Sequence, residues 1–169
     1  MPNKIKVSGC IVTYNDFDKA INAVDSVLCQ TKRVDFKLYI SDNASKNSLC
    51  EKLQSKHPGI SIIKNKTNVG FGKAHNKVID LIDSDYHAII NPDIIVNSDV
   101  ISDVCEYMEK NNIAVMATPK ILSGDGTEQF LPRKRPKFKY MLAGRLPFLS
   151  KLRDEYTMKS SPVTEPAEI

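Results

Sequence analysis

The stretch ISIIKNKTNVGFGKAHNKVIDLI, residues 60–82, reads as a strand, a turn and a helix in succession, and this order sets the pattern of the chain. Its first part is rich in β-branched residues, as strands are, whereas Val78, Leu81 and Ile82 recur at helical spacing. Gly70 and Gly72 lie between the two elements. Glycines at such a turn let the backbone approach a ligand closely, and helix N-terminal amides favour anions such as phosphates. The turn is therefore either a plain connection or a phosphate contact.

Two known phosphate-binding motifs do not fit this turn. A P-loop needs a glycine five residues before its Gly-Lys pair and a Ser or Thr after it, but Thr67 and Ala74 occupy those positions. The dinucleotide fingerprint needs a third glycine where this chain has His75. Spacing therefore argues against both motifs.

Length and composition are those of one globular domain. The chain has 169 residues, of which 41% are hydrophobic and 26% charged. No apolar run approaches the roughly 18 residues of a membrane span, and the N-terminus lacks a secretory cleavage signal. The four cysteines form no CxxC pair. We therefore expect a cytoplasmic protein with reduced thiols.

Outward from residues 60–82, short β-rich runs alternate with amphipathic stretches from Ile5 to about Ile121. Helices are predicted around Ile21 and Val24 and again around Val100 and Val104, the latter with Asn97 or Ser98 as its N-cap. The predicted strands are IKVSGCIVT, FKLYIS, ISIIKN, YHAIIN and IAVMATP. This alternation predicts an α/β fold with a mostly parallel sheet flanked by helices on both faces.

Polar residues follow four predicted strands in succession, in the segments TYND, SDNAS, NKTNVGFG and NPDI. Turn chemistry accounts for each segment taken singly. Ligands of parallel sheets, however, bind at the carboxyl ends of the strands. Four such ends together indicate a binding site.

The first two of these segments suit a nucleobase. Asp42 and Asn43 could pair with the donor and acceptor edge of a pyrimidine, because a carboxylate accepts hydrogen bonds and an amide both donates and accepts them. Thr13, Tyr14 and Asn15 could supply backbone and ring contacts to the same base.

The last two segments suit a diphosphate and a cation. Asp93 ends a buried strand, where it could hold a divalent cation that bridges two phosphates, since Mg²⁺ sites use one or two protein carboxylates plus phosphate oxygens and water. The turn at Gly70 and Gly72 would then lie near the sugar and the diphosphate.

Four motifs, IVTYN, SDNAS, NVGFGKAHN and INPDI, occur in this order over about residues 5–97. Together they resemble the N-terminal, donor-binding part of a family 2 glycosyltransferase with the GT-A (Rossmann-like) fold, in its rhamnosyltransferase-like branch. The resemblance implies a hexosyltransferase that moves a sugar, with inversion, from a UDP- or dTDP-linked donor to a saccharide or lipid-linked acceptor in polysaccharide biosynthesis. It also implies Mg²⁺ or Mn²⁺ as cofactor.

The resemblance extends to individual residues. It implies that IVTYN and SDNAS bind the nucleotide and that NPD binds the metal, with Asp93 as the ligand. His75 is a further candidate for a phosphate or sugar contact. The residues expected beside the donor sugar and diphosphate are Asn68, Gly70, Gly72, Lys73, Asn76 and Asn91.

The chain departs from the family pattern in two places. Asn91 stands where many relatives have an aspartate, which leaves a single carboxylate for the metal. No counterpart of the family's general base is found, because Asp154 and Glu155 fit a solvated helix face. We expect a truncated chain whose general base lies outside it and which is inactive as it stands; a non-catalytic nucleotide-binding or interaction module is the alternative. A nucleotidyltransferase is disfavoured because VTYND has no glycine.

We expect two regions, a nucleotide-sugar-binding core at residues 1–122 and a basic, partly helical segment at 123–169 that begins an incomplete acceptor-side region. Residues 133–159 carry nine Lys or Arg against two acids. The mixture of cations and apolar residues at 133–153 suits an anionic membrane surface at the inner face, or packing on missing protein or on a second copy of the chain. Nucleic acid is not an expected partner, because no binding motif accompanies the cations.

Overall fold

The computed structural model describes residues 4–46, 48–129, 137, 140 and 150–157. The chain divides into two compact units, residues 1–117 and residues 118–169. The boundary expected at residue 122 from the sequence stays a prediction.

Four parallel strands form the sheet of the first unit, in the order β3-β2-β1-β4. The strands are β1 (Lys6–Thr13), β2 (Asp35–Asp42), β3 (Ser61–Lys64) and β4 (Tyr86–Ile90). β1 pairs with β2 from Lys6↔Asp35 to Thr13↔Asp42. Because β1 lies between two strands and under helices on both faces, its side chains after Lys6 are all buried.

Helices cover both faces of this sheet, as the sequence predicts. One apolar cluster joins Ile11 and Ile40 of the sheet to Val24 and Leu53 from two helices, and another joins Cys10 to Ala74 and Val78 of a third. The helices are α1 (Phe17–Gln30), α2 (Leu49–Lys56), α3 (Phe71–Ile79), α4 (Val100–Lys110) and, in the second unit, α5 (Ser150–Tyr156).

Two details of the prediction are wrong. Residues 113–119 form no strand, and Val115 is 95% exposed. β-branched content alone is not sufficient, because a strand also needs a hydrogen-bonded neighbour, and none of the described residues pairs with this segment. The N-cap of α4 is Asp99 rather than Asn97 or Ser98, and its carboxylate accepts hydrogen bonds from the backbone N–H groups of Lys32 and Arg33.

All four cysteines are free thiols. Burial raises the pKa of Cys10 to about 12 and that of Cys105 to about 11. Of the described helices, none has the length and apolar character needed to cross a bilayer.

In the second unit, Leu122 and Glu128 form an antiparallel bridge around a turn at Gly126, whose φ is 82°. The hydroxyl of Tyr140 donates to Glu155 on α5 at 2.7 Å. Asp154 and Glu155 are partly buried, so their face of α5 is less exposed than the sequence predicts. Most of the basic segment 133–153 lies outside the described residues.

Candidate functional site

A cleft of about 450 Å³ opens at the carboxyl ends of the strands. The end of β1, the segment after β2, the turn before α3 and the segment after β4 supply its walls. The predicted residues that line it are Thr13, Tyr14, Asn43, Asn68, Gly70, Asn91 and Asp93. Val12, Asp16, Phe71 and Pro92 complete the lining. A second hollow, of about 280 Å³ and lined by the N-terminal residues of β1 and β2, contains none of the predicted residues.

Other predicted residues lie beside the cleft without lining it. Asp42 is buried, and its carboxylate accepts a hydrogen bond from the backbone N–H of Ser45 at 3.3 Å. Asn15 accepts a hydrogen bond from the N–H of Lys46 at 2.9 Å. Gly72, Lys73 and Asn76 follow along α3 and are exposed.

Backbone strain is concentrated in the loops around the cleft. Asn15 has a φ of 57° and Ala44 a φ of 67°, in the left-handed region that non-glycine residues seldom occupy. The Asn15 N–H donates to Ser45 Oγ at 2.9 Å, which ties the loop after β1 to the loop after β2. Strained residues that persist are held by their surroundings, and they cluster at functional sites.

The turn before α3 depends on Gly70. Its φ of 83° and ψ of 164° lie in a region that is essentially restricted to glycine. The Gly70 N–H donates to Asn68 Oδ1 at 2.9 Å, and the Gly70 carbonyl accepts the first helical hydrogen bond, from Ala74 at 3.1 Å. The first amides of α3 therefore begin at the cleft wall, where they can meet an anion.

A buried amide network behind the cleft was not found from the sequence. Asn65 and Asn43 are only 6% and 3% exposed. Asn65 Nδ2 donates to Asn43 Oδ1 at 3.1 Å and to Ser41 Oγ at 3.3 Å, and Lys77 Nζ donates to Asn65 Oδ1 at 2.6 Å. The Val69 N–H donates to Asn43 Oδ1 at 3.4 Å. The one available signal was the position of Asn65 directly after β3, as the first residue of the polar segment NKTNVGFG.

Two carboxylates line the cleft. Asp16 pairs with Lys19 at 3.4 Å, whereas Asp93 is exposed and makes no hydrogen bond or ion pair with any described residue. The described residues hold no group of three His, Cys, Asp or Glu that could bind a metal by themselves. Asp93 with the Asn91 amide therefore fits a Mg²⁺- or Mn²⁺-type site that is completed by diphosphate oxygens, and it does not fit a metal held by protein alone.

His75 lies in the core and not in the cleft, so the contact suggested for it from the sequence is not supported. It is on the same buried face of α3 as Ala74 and Val78, and its ring meets the edge of Phe71 at a centroid distance of 4.4 Å. Neither ring nitrogen has a hydrogen-bond partner among the described residues. Burial, and then the nearby His87, lower the pKa of His75, and burial lowers the pKa of His87.

We expect the fold to lose stability in mild acid because of these two histidines. Their pKa values in the folded state lie below the ordinary 6.5 of the unfolded chain, so the unfolded state binds more protons as the pH falls through 6.5. Each histidine contributes at most about 1.4 kcal/mol per pH unit. Urea unfolding at about pH 7.5 and about pH 5.5 measures this loss.

The variant His75→Leu provides the control for the pH dependence. It removes an imidazole without leaving any described group unpaired, so the loss of stability between the two pH values should shrink. A loss as large in His75→Leu as in the unmodified chain would show that His75 is not the source.

A parallel sheet between helices, with a polar cleft at the strand ends and a glycine turn beside it, defines an α/β protein of the GT-A class. The chain belongs to glycosyl transferase family 2, whose family model matches residues 8–160. This finding agrees with the four sequence motifs.

One curated relative is an uncharacterized glycosyltransferase of Methanocaldococcus jannaschii, 30% identical over 114 residues. The match covers 64% of this chain and 39% of the relative, so the chain spans well under half of that protein's length.

Solved glycosyltransferase structures share the fold. A fragment of S. aureus TarS in complex with UDP-GlcNAc superimposes with a TM-score of 0.58 at 15% identity, over 69% of this chain and 37% of the other. The mannosyltransferase PcManGT from Pyrobaculum calidifontis, in complex with GDP-Man and Mn²⁺, gives 0.57 at 15% identity, over 71% and 34%. At this identity the likeness establishes the GT-A fold.

Proposed function

We propose that this chain is the donor-binding part of an inverting, metal-dependent glycosyltransferase that uses a nucleoside-diphosphate sugar. The observation that carries the proposal is that one cleft contains three features that such a donor needs. These are a polar wall, the N-terminal end of a helix, which favours anions, and an unpaired carboxylate. The cleft is formed by the ends of β1 and β4, the segment after β2 and the start of α3. The TarS fragment and PcManGT, which share the fold, are in complex with UDP-GlcNAc and GDP-Man. Their ligands support the proposal that this chain binds a nucleoside-diphosphate sugar.

The nucleotide is assigned to the wall formed by β1 and β2. Tyr14 is half exposed and offers a ring face, and Thr13 has a buried hydroxyl without a described hydrogen-bond partner. Asn43 offers an amide at the same wall. Asp42 and Asn15 are assigned a supporting role, because their hydrogen bonds hold the loops that carry Tyr14 and Asn43.

The diphosphate and sugar are assigned to the opposite wall. Gly70 leaves the backbone bare beside the first amides of α3, and these favour an anion. Asn68 and Asn91 are the polar side chains at this wall. Lys73 and Asn76 belong to the proposal as more distant contacts along the exposed face of α3.

Asp93, with Asn91 beside it, is proposed to hold Mg²⁺ or Mn²⁺ against the diphosphate. The cation would neutralise the leaving diphosphate when bound. In this proposal the general base lies outside the described residues. The remaining proposed features are a rhamnosyltransferase-like specificity, a hexosyl donor linked to UDP or dTDP, a polysaccharide pathway with a saccharide or lipid-linked acceptor, and attachment to the inner membrane face through residues 133–153.

Calorimetric titration of the purified chain with UDP and with dTDP, each with and without Mn²⁺, tests this function. We expect binding that depends on the metal, because the described lining of the cleft supplies one unpaired carboxylate and the diphosphate needs the cation to neutralise it. No binding of either nucleotide would contradict the proposal and favour the alternative, a non-catalytic interaction module.

A further inference from the structure

We propose that Asn43 presents only hydrogen-bond donors to the cleft, and that it thereby selects a nucleobase with a keto oxygen over one with an amino group at the same position. The inference rests on the proposed function, since it assumes that the base of a nucleotide meets Asn43. It adds the side chains that make this site select such a base.

Lys77 sets the direction in which the hydrogen bonds of the network run, from donor to acceptor. An ammonium group can only donate hydrogen bonds, and Lys77 Nζ lies 2.6 Å from the side-chain oxygen of Asn65. The amide oxygen of Asn65 therefore faces Lys77, and its NH₂ group faces the interior. There it donates to Ser41 Oγ and to Asn43 Oδ1. Asn65 is 6% exposed, so little bulk water reaches its amide to make the other orientation equally favourable.

The second step fixes Asn43. Its side-chain oxygen accepts from Asn65 Nδ2 at 3.1 Å and from the backbone N–H of Val69 at 3.4 Å. A backbone N–H can only donate, so turning the Asn43 amide around would place its NH₂ group against two donors. Its oxygen is therefore held inward. No described residue accepts a hydrogen bond from Asn43 Nδ2, and Asn43 lines the cleft.

This outward NH₂ group is complementary to a keto oxygen. Uracil, thymine and guanine carry one on the edge where cytosine and adenine carry an amino group. An amino group facing Asn43 would oppose donor to donor and leave a buried donor unpaired. Such a mismatch typically weakens binding about 10- to 100-fold.

UDP and CDP form a matched pair for the test, because they differ only at this edge of the base: uracil has a 4-keto oxygen and an N3–H group, and cytosine has a 4-amino group and a bare N3. The variants described below separate the contact with Asn43 from any contact at N3. We expect titration of the chain in the presence of Mn²⁺ to give UDP the higher affinity by about 10- to 100-fold. Equal affinities, or a preference for CDP, would overturn the inference and leave the proposed function standing. Binding of neither would overturn the proposed function itself and the inference with it.

The variant Asn65→Asp tests the network directly. Its carboxylate keeps the contact with Lys77 and replaces the closer of the two donors that face Asn43 by an acceptor. The Val69 N–H, at 3.4 Å, is then the one remaining donor against an inward NH₂ group, so the Asn43 amide is expected to turn its NH₂ group inward and its oxygen towards the cleft. The ratio of UDP affinity to CDP affinity should then fall at least about tenfold. An unchanged ratio in a folded Asn65→Asp protein would contradict the assignment.

Variants of Lys77 keep the test informative if Asn65→Asp does not fold. Lys77→Met removes the donor that orients Asn65, and it should lower the same ratio, whereas Lys77→Arg keeps a donor and should preserve it. Lys66→Met is the control, because it removes the same charge from an exposed neighbour outside the network. An equal fall in Lys66→Met and Lys77→Met would show a general charge effect and overturn the inference.

Discussion

Asp93→Ala is expected to remove the metal dependence of nucleotide binding while the fold stays intact. Asp93 is exposed and makes no hydrogen bond or ion pair with a described residue, so its loss should change the free energy of unfolding by no more than about 0.5 kcal/mol. Among the described residues that line the cleft, Asp93 nevertheless has the one carboxylate without an ion-pair partner. Loss of a group that merely orients a metal ligand costs about 10- to 100-fold in affinity, and loss of the ligand itself should cost at least as much.

The measurement is calorimetric titration of Asp93→Ala with the better-binding nucleotide, with and without Mn²⁺. Asp16→Ala is the comparison, because Asp16 is the other carboxylate that lines the cleft and is paired with Lys19. Retained Mn²⁺-dependent affinity in Asp93→Ala would refute the metal assignment. Loss of that affinity in Asp16→Ala alone would move the metal site to Asp16.

Gly70→Ala is expected to be the most damaging single methyl addition near the cleft. The obstacle is conformational and not steric, since a Cβ built on Gly70 meets nothing within 4 Å, but its φ of 83° and ψ of 164° are costly for alanine. The strain amounts to about 1–3 kcal/mol. If the turn keeps its conformation, the free energy of unfolding falls by this amount. If the turn rearranges instead, Asn68 and the start of α3 move away from the ligand.

Gly72→Ala separates the two glycines of the turn. A Cβ on Gly72 also meets nothing within 4 Å, but Gly72 is helical and its φ is not positive, so alanine should stabilise α3 by about 0.5–1 kcal/mol. Urea unfolding and nucleotide titration of both variants provide the measurement. Equal stabilities of Gly70→Ala and Gly72→Ala would contradict the conformational argument. Weakened binding in a stabilised Gly72→Ala protein would show that the ligand contacts the backbone at Gly72 as well.

Asp42 and Asn43 illustrate how far a motif can be interpreted. The motif SDNAS predicts that both face a base, yet the structure places only Asn43 in the cleft wall and turns Asp42 towards the N–H of Ser45. Adjacent residues at a strand end point in different directions. The sequence could therefore locate the loop, but it could not say which of its two polar side chains lines the cleft.

The sequence by itself determined the α/β class, the four strands of the sheet, helices α1, α3 and α4, and the segments that gather at the carboxyl ends of the strands; it did not predict α2. These features follow from local periodicity and from turn residues, which each short stretch carries within itself. Only the tertiary structure decided that residues 113–119 form no strand, that His75 is buried, and that Lys77, Asn65 and Asn43 form one network. Strand pairing, burial and the polarity of a hydrogen-bond chain depend on contacts between residues far apart in the chain, and no local pattern records those contacts.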